Sequence, residues 1–110
     1  MADNIGNPML RMPSTAKKGE LVEIRSLIMH PMLTGLTKDK SGKLIPAHFI
    51  QTVTATFNGK PLLDIDWSTA VSANPFLAFK MRAEDNGTLK VVWKDNQNGD
   101  WSAESKLTVS

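Results

Sequence analysis

Three Asn-Gly pairs constrain this chain more than any other feature: Asn58-Gly59, Asn86-Gly87 and Asn98-Gly99. Asparagine and glycine both accept positive φ, which a tight turn between twisted antiparallel strands requires. The runs beside them alternate. Before Asn58, Val53, Ala55 and Phe57 share one face while Thr52, Thr54 and Thr56 share the other. After Gly59, Leu63, Ile65 and Trp67 alternate with Asp64 and Asp66. Such runs joined by such turns predict β-hairpins and leave little room for helices.

The same reading covers the rest of the chain. Residues 1–7 read as a loose N-terminal tail and residues 8–110 as one domain. Pro8 to Pro13 is short and closed by proline at both ends, which suits an edge strand. Ser14 to Gly19 reads as a turn. Glu20 to Met29 places Val22, Ile24 and Ile28 at period two, Ile45 to Phe57 is a long strand, and Lys60 to Trp67 is its hairpin partner. Phe76–Arg82, Thr88–Lys94 and Trp101–Val109 complete about seven strands, and no segment has a helical period. The expected fold is all-β, an immunoglobulin-like antiparallel β-sandwich with one face of each sheet buried.

Composition excludes several function classes. The 110 residues contain no cysteine, so disulfides, thiolate metal sites and thiol catalysis are absent from this chain. Thirteen basic residues against eleven acidic ones make a mild excess, and only three are arginines: Arg11, Arg25 and Arg82. That is not a nucleic-acid footprint, which needs clustering as well as sign. No apolar run reaches the roughly 20 residues of a membrane span. The polar N-terminus has no apolar core of a signal peptide.

Reactive constellations are thin. His30 and His48 are the only groups suited to acid–base work near neutral pH. No glycine pattern cradles phosphate and no serine sits in a nucleophile elbow. Asp64 and Asp66 share a strand face and read as solvated aspartates. A metal site would need His30, His48 and a carboxylate such as Asp39 to converge; Met29, Met32 and His30 offer a copper alternative. Asn86-Gly87-Thr88 fits a glycosylation sequence, but the hairpin turn explains it better. Trp67, Trp93 and Trp101 fall on apolar faces and read as core, with a sugar-binding platform as the alternative. Lys38, Lys40 and Lys43 make a basic loop able to steer an acidic partner. The expectation is therefore no enzyme, no catalytic or cofactor-binding residue, no metal and no cofactor. The competing reading is a small metal or redox domain using His30 and His48, or a generic sandwich binding module.

Pro31 fixes the corner His30-Pro31-Met32-Leu33: it removes a donor and bars His30 from the helical region. A strand should end at His30, leaving an imidazole and a thioether at a sheet corner. Met32 and Leu33 in a turn suggest an exposed apolar patch. His30, Pro31, Met32 and Leu33 are accordingly the candidate partner-interaction residues.

The sequence resembles the SoxZ family of the thiosulfate-oxidising (Sox) system from about Arg11 to Val109. The resemblance is carried by Lys18-Gly19-Glu20, Ile24-Arg25, Leu27-Ile28, His30-Pro31-Met32 with Thr34-Gly35, and Gly42-Lys43 with Ile45-Pro46. Phe57-Asn58-Gly59, Ala73-Asn74-Pro75-Phe76 with Phe79, and Gly87-Thr88-Leu89 with Trp93 complete it. It implies an immunoglobulin-like sandwich acting as the scaffold subunit of the SoxYZ carrier. The partner is SoxY, whose C-terminal arm bears the cysteine on which sulfur intermediates ride. It also implies a heterodimer, transient contacts with other Sox enzymes, and periplasmic residence after co-export with the partner. In isolation the bare interface allows a homodimer. Neither nucleic acid nor membrane is an expected partner.

Overall fold

The computed structural model describes residues 5–110. Eight strands form in chain order: β1 (Gly6–Arg11), β2 (Thr15–Ala16), β3 (Leu21–Met29), β4 (Ile50–Phe57), β5 (Lys60–Asp66), β6 (Phe76–Arg82), β7 (Gly87–Asp95) and β8 (Asp100–Val109). A three-stranded sheet runs β1-β3-β6 and a five-stranded sheet runs β2-β8-β7-β4-β5. The expected all-β immunoglobulin-like sandwich is what the chain forms. Among the described residues no helix is long and apolar enough to cross a membrane.

Alternation sets the layers. In β3, Val22, Ile24, Ser26 and Ile28 are buried and point at the opposite sheet. Val53 and Ala55 of β4 and Leu89, Val91 and Trp93 of β7 meet them from the other side. Register pins these pairs: Val53 lies opposite Trp93, and Ala55 opposite Val91. A one-residue slip would turn each inward side chain to water, so burial itself enforces the register. Ile24, Leu89, Val91 and Val53 are wholly inaccessible.

Five details depart from expectation. Asn86-Gly87, read as a hairpin turn, instead carries the chain from β6 of the three-stranded sheet to β7 of the five-stranded one, and neither residue takes a positive φ. The tail expected through Asn7 already contributes Gly6 and Asn7 to β1, while residues 1–4 lie outside the described residues. The stretch read as a turn at Ser14 to Gly19 contains β2, which pairs in parallel with the end of β8. β4 begins at Ile50 rather than Ile45, because Pro46 has no donor for a ladder and residues 47–49 are held by other partners described below. Of the three tryptophans only Trp93 is fully buried; Trp67 and Trp101 are half-buried at the rim of the core.

Candidate functional site

The corner after β3 is built around a buried polar cluster. Pro31 ends the strand, and Met32 then adopts φ of 51°, a left-handed conformation uncommon for a bulky side chain. The bend is held in place by hydrogen bonds. The His30 amide donates to Asn74 Oδ1 at 3.0 Å, and the Asn74 amide returns a bond to the His30 carbonyl at 2.8 Å. Leu33 and His48 exchange both backbone bonds, at 2.6 and 3.0 Å. Met32 is buried, and its Sδ accepts from the Ile50 amide at 3.3 Å.

The far side of the cluster is the turn between β7 and β8. Asn96 Oδ1 accepts from the Phe49 amide at 2.9 Å, and the Asn96 amide donates to the Phe49 carbonyl at 3.0 Å. Asn96 Nδ2 and Gln97 Nε2 both donate to the Ala47 carbonyl. These bonds seat His48 against the turn. Asp95 Oδ1 accepts from the Gln97 amide at 2.9 Å and the Gly99 amide at 2.6 Å, which closes the turn.

The other oxygen of Asp95 joins the two histidines. His30 Nε2 lies 3.1 Å from Asp95 Oδ2 and His48 Nε2 lies 2.6 Å from the same atom. The imidazoles meet edge to face with centroids 4.6 Å apart, and Trp101 packs edge to face on His30 at 5.8 Å. His30 is 1% exposed and Asp95 6%. Every lone pair used by this carboxylate faces an N–H, which is the condition for burying a charge.

The backbone fixes the protons. The Met32 amide donates to His30 Nδ1 at 3.1 Å, so Nδ1 is an acceptor and the ring proton sits on Nε2, facing Asp95. Burial pushes the His30 pKa below the ordinary histidine value, against the Asp95 hydrogen bond, which pulls it up. Burial alone would raise the Asp95 pKa, but hydrogen bonds from His30, the Gly99 amide, His48 and the Gln97 amide outweigh it and hold the carboxyl below its ordinary value. The cluster is a neutral His30 and an ionised Asp95 at neutral pH.

The same geometry bears on metal binding. Potential ligand atoms of His30, His48 and Asp95 all lie within 4.8 Å of one another. The two histidines of the metal expectation therefore do converge, but with Asp95 rather than Asp39. Asp39 instead organises its own loop, accepting from Ser41 Oγ at 2.7 Å and from the Ser41 and Lys43 amides. A metal on His30 Nε2 would move the ring proton to Nδ1, against the Met32 N–H, or require an imidazolate. The residues fit a proton-bearing clamp better than a coordination shell.

The partner-interaction candidates are corrected on exposure. His30 and Met32 are buried within this chain, and Pro31 and Leu33 are half-buried, so the corner is not an exposed apolar patch. The reason is the left-handed bend at Met32, which turns its side chain inward. Asp64 and Asp66 are exposed on β5, as expected of solvated aspartates. Asp95, Asn74 and Asn96 were missed by sequence reasoning. The signal available for Asp95 was its place at the head of Asp95-Asn96-Gln97-Asn98-Gly99, where an aspartate caps its own turn.

Known proteins fall into line with this architecture. The family described as "Sulphur oxidation protein SoxZ" matches residues 10–106. Among curated proteins none matches the sequence. Among solved structures, a superoxide reductase (neelaredoxin) from Ignicoccus hospitalis superposes with a TM-score of 0.68 at 16% identity, covering 96% of this chain and 82% of that one. The sulfur carrier protein SoxY from Chlorobium limicola f thiosulfatophilum gives a TM-score of 0.61 at 15% identity, covering 94% of this chain and 78% of that one. At these identities the structural likeness is one of fold. The family match spans nearly the whole sandwich, and the chain belongs to the SoxZ family of sulphur oxidation proteins.

Proposed function

We propose that this chain is the non-catalytic scaffold half of a two-chain sulfur carrier, paired with a SoxY-type chain whose cysteine arm carries covalent sulfur intermediates. The observation that carries the reading is the family match over residues 10–106 in a chain without cysteine. A sulfur carried as a thiol adduct must then ride on another chain. The geometry supports the division of labour. The two histidines both turn against Asp95, with His30 fully shielded. A largely buried, mutually satisfied cluster stiffens a body.

A carrier arm that visits several enzymes needs a rigid base. The sandwich supplies one, and the loop bearing Lys38, Lys40 and Lys43 extends from it as a basic surface for brief, salt-sensitive encounters with those enzymes. The complex works in the periplasm in this reading. Co-expression with a SoxY-type chain, followed by affinity capture and light scattering, tests it. A stable one-to-one complex recovered from the periplasmic fraction is expected. A chain that stays free in the presence of that partner overturns the pairing, and recovery from the cytoplasm alone overturns the location.

A further inference from the structure

The outer face of the three-stranded sheet carries an arrangement that the sandwich itself does not need. The register places Met9 opposite Leu27, and Leu27 opposite Phe76. One apolar row therefore crosses all three strands on the solvent side. Met9 is 43% exposed, Phe76 is 61% exposed and Leu27 half-buried between them. The row borders a shallow depression of about 330 Å³ that Arg11 and Arg25 also line.

The next row holds the second feature. Arg11 and Arg25 are direct cross-strand partners, both exposed. Like charges directly opposed across two strands destabilise the isolated sheet. Arg25 Nε donates to Glu23 Oε1 at 2.8 Å, an exposed ion pair within β3. Lys80 lies opposite Glu23, and Arg82 lies opposite Leu21 on the same face. Four basic residues against one acidic residue give this face a net +3, on a chain whose total is +2. This face is thus one of two basic surfaces of the chain, the other being the loop that bears Lys38, Lys40 and Lys43.

We infer that this face, centred on Met9, Leu27 and Phe76 with Arg11 and Arg25 beside them, is where the cysteine-bearing partner chain docks; the inference rests on the pairing proposed above and names its surface. The apolar row supplies the desolvated centre that a stable interface requires, and guanidiniums beside it select a carboxylate on the partner by bidentate geometry. A lasting pair buries about 800 Å² on each side, which calls for a whole sheet face rather than a single loop. The partner surface is therefore apolar at its centre and acidic along one border. The charge excess also predicts an association rate that falls with salt.

The test is titration calorimetry of this chain against a SoxY-type partner, with three variants. Met9→Ser with Phe76→Ser removes the apolar row; Arg11→Glu with Arg25→Glu reverses the charge; Leu62→Ser, an exposed leucine on β5 of the other sheet, is the control. Thermal unfolding verifies that each variant folds, as expected for exposed positions. Each double variant should weaken binding about tenfold or more, with affinity of the control unchanged within about twofold. A wild-type chain that does not bind overturns both the pairing and the face. Wild-type binding that survives both double variants overturns the face alone. Self-association lost in the double variants while partner binding persists assigns the face to a second copy instead and overturns the occupant named here.

Discussion

Asp95 Oδ2 receives His30 Nε2 at 3.1 Å across 65 residues of sequence, and this one contact ties the end of β3 to the turn after β7. His30 follows β3 of the three-stranded sheet and Asp95 ends β7 of the five-stranded one, so the bond closes one end of the sandwich. Its consequences for stability can be measured directly.

Asp95→Asn replaces an acceptor-only group by an amide. In either orientation the amide N–H₂ faces two N–H donors, those of His30 and His48 or those of Gln97 and Gly99. A loss of about 2–4 kcal/mol in unfolding free energy is expected. Urea denaturation measures it; a loss below about 0.5 kcal/mol contradicts the clamp.

Stability should depend on pH in two windows. In the unfolded chain His30 takes up its proton near its ordinary value of 6.5, whereas burial keeps the folded imidazole neutral to lower pH. Between those values the unfolded state binds more protons, so stability is complete above about pH 6.5 and declines below it. The decline has a limiting slope of about 1.4 kcal/mol per pH unit for one proton. A protonated Nδ1 would also face the Met32 amide, which reinforces the sign. Asp95 acts lower: its depressed folded value means its contribution is present above the ordinary 3.8 and is lost as pH falls through the folded value. His30→Asn keeps an acceptor for Met32 without titrating, and should flatten the first window while lowering stability at pH 8. An unchanged slope in this variant contradicts the assignment.

Much of this fold was legible in the sequence, and the reasons are local. Alternation in Val22, Ile24 and Ile28, or in Leu89, Val91 and Trp93, writes the buried face directly, and Asn58-Gly59 marks its hairpin. What escaped is non-local or conformational. β2 is two residues held only by a parallel partner, the end of β8, more than 90 positions later. Nothing in the composition of Met32 announces a φ of 51°, which the surrounding hydrogen bonds impose. The histidines were visible as candidates, but their carboxylate was not, because Asp95 reaches them only through the sandwich closure.

Glycine 99 is required for packing rather than for backbone freedom. A Cβ there would collide with the Trp101 ring and would sit 2.6 Å from Asp95 Oδ2. At Gly42, with φ of 85°, a Cβ meets nothing within 4 Å. Gly99→Ala should therefore cost about 2–3 kcal/mol, and Gly42→Ala about 1 kcal/mol from backbone strain alone. Equal costs in parallel thermal melts contradict the packing account.

Zinc or cobalt added to the purified protein should leave its melting temperature unchanged at neutral pH, because His30 presents its ring proton to Asp95 and its lone pair to the Met32 amide. Elemental analysis giving one metal per chain, lost together with a large part of the stability on chelation, contradicts that assignment of protons.

Intact-mass spectrometry of the co-expressed complex during thiosulfate oxidation tests the scaffold role most directly. Sulfur adducts should appear on the partner's cysteine while the mass of this chain stays unshifted throughout. A sulfur adduct on this chain, or oxidation proceeding at full rate with this chain absent, would contradict it.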